Sequence, residues 1–262
     1  MTTPHPRLDR DPVSLPDAGQ PTSDLWGVLI ALADRLVAVP WTIVGGQMVL
    51  LHAVESGATP LRLSTVLDTV VDVRTDPKAM RKVMAAVLDL GFITTGTSPE
   101  GIAHRLARST ESGTTFIDIL VPEGLGPRTD ITTVAPGRAF AASGVTQALQ
   151  RTELLPVRFA GATSWLPRPD LLGAIVAKAV AATTDRHDTD RHLLDLAFLA
   201  SLIDDPFVTA QHATATDRRR LRNAGRRLTD DHALWRRVPR RNDARSALEI
   251  LSSSPGRSKP TR

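Results

Sequence analysis

The chain has 262 residues, 42% of them hydrophobic, with 32 Lys+Arg against 28 Asp+Glu and no cysteine. That length suits one or two domains with a buried core, and the lack of cysteine excludes disulfides, thiolate catalysis and cysteine-ligated zinc, leaving oxygen or imidazole to hold any metal and favouring magnesium or manganese. No run approaches the ~20 apolar residues of a membrane span, and no basic start leads into an apolar core, so a cytoplasmic protein with no membrane contact is expected.

Residues 1–22 carry Pro4, Pro6, Pro12, Pro16 and Pro21 with little apolar periodicity, the composition of a disordered leader. A core over 23–166 should follow, beginning with a helix capped by Ser23, striped by Leu25, Leu29, Leu32 and Leu36, and stopped by Pro40. The most informative stretch is Trp41 to Arg74, WTIVGGQMVLLHAVESGATPLRLSTVLDTVVDVR, which reads as strand, Gly-Gly turn, helix, loop, strand. Gly45 and Gly46 allow backbone conformations or close approaches that a Cβ would block, and Gly57 closes the helix. A helix opened by such a turn presents free N–H groups and a positive dipole end, a seat for phosphate. On the second strand Val66, Asp68, Val70 and Asp72 share one face.

Downstream, Asp76-Pro77 starts a helix whose apolar face is Met80, Val83, Val87 and Leu88, ended by Gly91. Strands are expected over Phe92–Thr95, Ile102–Ala107 and Thr114–Val121, the last two joined by the turn Glu111-Ser112-Gly113. Asp118 stands in Phe116-Ile117-Asp118-Ile119-Leu120. A carboxylate there either binds something or faces water on an edge strand, because an ionised carboxylate is costly to bury alone. A hairpin around Ala160-Gly161 precedes Pro167-Arg168-Pro169 and a helical region over 167–251. Its first helix, Asp170–Ala182, holds Lys178 in apolar and alanine-rich surroundings. The next, Thr189–Ile203, carries Asp190, Arg191, His192 and Asp195. His187 and His192, five apart, read as surface residues, and beyond Pro206 the chain breaks into short helices near Thr229-Asp230 and Pro239 before a disordered basic tail at 252–262.

These residues resemble the nucleotidyltransferase superfamily that includes DNA polymerase β. More narrowly, GGQMVLLHA, the segment ending VVDVR, TQALQRTELLPVRF and PRPDLLGAIVAKA resemble the AbiEii/AbiGii toxin family of nucleotidyltransferases, over roughly Trp41 to Leu202. The resemblance implies an α/β (α+β) fold, a nucleotidyltransferase-like mixed sheet with flanking helices and a helical C-terminal half. It implies transfer of a nucleotidyl group from a nucleoside triphosphate to RNA (tRNA) or protein with Mg2+ or Mn2+, as a toxin with a cognate antitoxin or in phage defence. Carried onto this chain, Asp68 and Asp118 ligate metal, Gly45, Gly46, Ser64 and Lys178 bind the nucleotide, and Lys178 and Asp195, with Asp190 as a second candidate, complete the catalytic set. The family's first metal-binding Asp falls on Val66, which cannot bind metal. This departure opens an alternative, a nucleotide-binding relic or an RNA- or partner-binding module.

Asp217–Arg262 holds 14 Lys+Arg against 5 Asp+Glu, a surplus of +9 that leaves −5 on the remainder of a chain totalling +4. A basic end after an acidic body suits a polyanion such as RNA, although 28 of the 32 basic residues are arginine, which a GC-rich genome would also produce. The chain lacks G-x-x-x-x-G-K-[ST], H-E-x-x-H and G-x-S-x-G, so Walker ATPase, zincin and α/β-hydrolase chemistry have no residues to act through.

Overall fold

A computed structural model of the chain describes residues 3–17, 19, 22–111 and 113–253. It divides into two compact units, the first ending at Ala177 and the second beginning at Lys178.

In the first unit, β1 (Val13–Ser14) and α1 (Thr22–Arg35) precede β2 (Trp41–Val44), α2 (Gly45–Glu55), β3 (Val66–Val71), α3 (Ala79–Asp89), β4 (Ile93–Thr94), β5 (Arg105–Thr110), β6 (Gly113–Pro122), β7 (Phe140–Ala142), α4 (Val145–Gln150), β8 (Thr152–Phe159), β9 (Ala162–Pro169) and most of α5 (Leu171–Thr184). Six strands form a mixed sheet ordered β2-β3-β6-β5-β4, with β7 added to β6. Only the β3–β6 and β6–β7 pairings are parallel in this sheet. A second sheet is ordered β1-β8-β9, and its β8–β9 hairpin turns at Ala160-Gly161, both with positive φ.

The apolar periodicities explain these elements. Leu25, Leu29, Leu32 and Leu36 are all buried on the stripe of α1. Every residue from Gln47 to Ala53 of α2 is buried, so this helix is core on all sides and fixes the turn that opens it. On α3, Met80, Val83, Met84 and Val87 are buried whereas Leu88 is exposed, because Met84, four residues on from Met80, takes the inward position. Asp76, expected to cap α3, instead accepts from the Lys78 backbone N–H at 2.8 Å in the turn before it, and Lys78 takes the N-cap position without a side-chain cap.

Residues 6–15, expected within a disordered leader, instead run along β8. Val13 and Ser14 pair with Val157 and Arg158, the Leu8 N–H donates to the Leu154 carbonyl at 3.0 Å, and Leu15 is buried. Prolines are tolerated at a sheet edge, where a missing N–H costs no ladder bond, and Arg7 stacks 4.7 Å over the Trp165 ring.

The second unit is helical: the end of α5, then α6 (Thr189–Ser201), α7 (Pro206–Gln211), α8 (Ala215–Gly225), a 3-10 helix over Ala233–Arg237 and α9 (Arg241–Ser252). Thr214 and Asp217 form a capping box on α8, and Asp205 caps α7 ahead of Pro206. The buried Arg218 donates to the carbonyls of Ala210 and Ser253, closing the ends of α7 and α9. Of the basic tail, residues 254–262 lie outside the described residues.

Candidate functional site

Asp68 on β3 and Asp118 on β6 are direct partners on neighbouring parallel strands, so their side chains leave the sheet on the same face. On the other side of Asp68 the partner is Val44, the last residue before the Gly45-Gly46 turn. That turn requires glycine twice. Gly45 has φ +67°, and a Cβ there would overlap the Asp68 carboxylate and lie 2.6 Å from its Cγ. A Cβ on Gly46 would lie 2.5 Å from Ser64 Cβ. The N-terminus of α2, the Asp68 carboxylate and the Ser64 loop are therefore in contact. Ser64 also closes its own loop, its Oγ donating to the Val66 carbonyl at 3.1 Å while its carbonyl accepts from the Gln47 side chain.

Two arginines that the sequence reading passed over stand here. Arg105 on β5 faces Asp118 across the β5–β6 ladder, and its Nε and Nη2 donate to Oδ1 and Oδ2 at 2.7 and 2.6 Å. Asp118 is thus a buried carboxylate, 6% exposed, whose charge is matched by a bidentate guanidinium. The Arg105 side chain is itself 46% exposed. The hydrogen bonds to Asp118 hold the Arg105 guanidinium further toward its charged form, with the Asp68 charge adding to the effect. Arg62, in the loop before β3, brings Nη1 to 3.4 Å from where a Gly46 Cβ would stand.

A divalent metal does not fit this arrangement. Both oxygens of Asp118 are taken by Arg105, valine stands at position 66, and among the described residues no group of three or more His, Cys, Asp or Glu could hold a metal. Asp72, on the same strand face, turns to the loop instead and accepts from the Arg74 and Thr75 backbone N–H groups.

Lys178 and Asp195 lie in the second unit, where Nζ meets Oδ2 at 2.7 Å with each side chain 3% exposed. Next in sequence, the Asp185 carboxylate stands 3.1 Å from Nε2 of His192. His192, expected on the surface, is buried, and burial pushes its imidazole below its ordinary value, helped by the Lys178 charge. Asp190 lies in the first turn of α6, largely exposed, with its carboxylate 3.8 Å from His232.

No protein-family model matches the chain, and no curated protein matches it in sequence. In structure it is similar to an antigenic nucleotidyltransferase-like protein from Paracoccidioides brasiliensis, with 14% identity, 87% of this chain and 94% of that chain covered, and a TM-score of 0.51. This likeness assigns a nucleotidyltransferase-like fold. A second similar structure, the antibiotic-resistance factor ANT(2'')-Ia, is 13% identical over 88% of this chain and 89% of that one, with a TM-score of 0.35. Among the described residues no helix is long and apolar enough to cross a membrane.

Proposed function

We propose that the chain is a nucleotidyltransferase-like protein that binds a nucleoside triphosphate at the Gly45-Gly46 turn, and that its carboxylate pair serves binding rather than rapid metal-dependent transfer. The observation that carries this reading is the juxtaposition of Asp68 and Asp118, in register beside the N-terminus of α2, with Arg105 clamped on Asp118. Backbone N–H groups at a helix start and nearby guanidiniums suit phosphate oxygens. In this reading Gly45 and Gly46 admit the phosphates, Ser64 lines the turn, and Lys178 with Asp195 stabilises the helical unit. A cytoplasmic location belongs to the same proposal.

A second reading keeps slow nucleotidyl transfer to RNA (tRNA) or protein, in the manner of an AbiEii/AbiGii toxin with an antitoxin partner and Mg2+ or Mn2+. The half-exposed Arg105 favours it, since a side chain that can swing into water would release Asp118. RNA would then meet the exposed arginines of the second unit, among them Arg219, Arg226, Arg236, Arg237 and Arg241. Incubation of the chain with each labelled triphosphate, magnesium and total RNA tests both. Retained triphosphate without pyrophosphate release supports the first reading, pyrophosphate release with a labelled acceptor supports the second, and neither outcome refutes both.

A further inference from the structure

We propose that Arg105 stands in for the divalent metal of a nucleotidyltransferase-type site, so that with Arg62 and the N-terminus of α2 it holds the phosphates of a nucleoside triphosphate without any metal. The inference rests on the triphosphate-binding reading above and adds how the charge is met.

Two carboxylates in register on adjacent strands are a charge problem wherever one of them is buried. A metal ion is one solution, and a guanidinium is another. Here the register of β5 and β6 sets Arg105 opposite Asp118, and the bidentate geometry at 2.7 and 2.6 Å uses only part of the guanidinium's donor set. Its other N–H groups make no hydrogen bond among the described residues, and with 46% of the side chain exposed they are open to an incoming anion. The Phe116 ring lies 5.8 Å from the guanidinium carbon, so the cation is steadied on one face by an aromatic ring as well as held along one edge by the carboxylate.

The local charge sum follows the same logic. Asp68 and Asp118 contribute two negative charges, and Arg105 and Arg62 two positive ones, so the site reaches neutrality from its own side chains. The positive end of α2 then tips it toward an anion. A metal entering here would first have to break the bidentate pair and would find no third carboxylate. Phosphate oxygens, by contrast, can add to the outer edge of Arg105 while its bidentate bond to Asp118 stays in place, because guanidinium forks match paired phosphate oxygens.

The test is calorimetric titration of the full chain with ATP, GTP, CTP and UTP, in EDTA and in millimolar magnesium chloride. The expected result is binding of at least one triphosphate in EDTA with an affinity within about threefold of that in magnesium, a difference of under ~1 kcal/mol. Arg105→Ala should lower the metal-free affinity by roughly tenfold or more, the worth of a charge-assisted hydrogen bond. Because that variant leaves Asp118 buried and unpaired, Arg105→Ala/Asp118→Asn is measured beside it, with a thermal melt to establish folding. A folded double variant that binds in EDTA as tightly as the wild type overturns the inference. Wild-type binding that requires magnesium also overturns it while leaving the triphosphate-binding reading intact, and no binding under either condition overturns both.

Discussion

Arg105 and Asp118 face each other across β5 and β6, and the guanidinium of one takes both carboxylate oxygens of the other. The pair gives a buried carboxylate its counter-charge and closes the site to a metal at the same point.

A double-mutant cycle should therefore show strong coupling between these two residues. Arg105→Ala is expected to destabilise by about 1–3 kcal/mol, discounted for the exposure of the arginine, because it strands the Asp118 charge. Asp118→Asn added to it should recover part of that loss, giving a coupling of about 1 kcal/mol or more in urea denaturation. Additive single-variant effects would mean that the two side chains do not depend on each other.

The close approach of Gly45 to Asp68 predicts a second non-additive pair. Gly45→Ala is strained at φ +67° and collides with the Asp68 carboxylate, so it should cost more than ~2 kcal/mol in thermal or chemical unfolding. Asp68→Ala removes the colliding atoms and should make the same glycine substitution cheaper. If Gly45→Ala costs the same in either background, the Asp68 carboxylate is not what a Cβ at position 45 meets.

Acid should destabilise the first unit through His52. Its Nε2 donates to the Pro169 carbonyl at 3.1 Å, and burial, with the charge of Arg168 added, pulls its imidazole from 6.5 down to about 4. Glu55, beside it and bonded to Arg168 and Arg10, opposes that shift. Between these two values the unfolded chain binds the proton and the folded chain does not, so stability falls as pH drops from 6.5 toward 4, by up to about 3 kcal/mol. His5 and His192, both lowered by burial, act with the same sign. The melting temperature should drop over this window, and His52→Gln, which keeps an amide donor toward Pro169, should flatten the drop. An unchanged pH profile in that variant would assign the effect elsewhere.

The Lys178–Asp195 pair separates a structural role from a phosphate-binding one. Lys178→Ala leaves a buried carboxylate without its 2.7 Å partner and should cost about 3–5 kcal/mol, whereas Lys178→Met/Asp195→Leu should be close to neutral. Triphosphate affinity of the folded double variant, measured by calorimetry, should equal that of the wild type. Its loss would return Lys178 to the binding site.

The stretch from β2 to β3 was legible because its signals are local: a β-branched strand, two glycines and an alternating strand with Asp68. The adjacency of Asp68 and Asp118 followed from a mixed sheet in which both lie on buried strands. Arg105 was legible in principle, since Thr110 pairs with Gly113 at the hairpin turn and five further steps along each strand set Arg105 against Asp118. It was missed because a charged residue on a half-exposed strand face looks like a solvated one. Arg62 carries no such signal, for a loop has no period and its approach to Gly46 depends on the path of the backbone. The leader was misread for the opposite reason. Its prolines signal disorder locally, yet the edge of β8 supplies the hydrogen bonds that the segment cannot make with itself. Likewise the meeting of Lys178 with Asp195 comes from helix packing, which neither helix shows alone.

The most direct measurement of the central claim compares a nucleoside triphosphate with its nucleoside by calorimetry on the full chain. If the Gly45-Gly46 turn and its arginines form a phosphate seat, the triphosphate binds, the nucleoside shows no measurable heat, and raising the salt from low to physiological concentration weakens the triphosphate because the contacts are ionic. Equal binding of nucleoside and triphosphate, or binding of neither, would contradict the account.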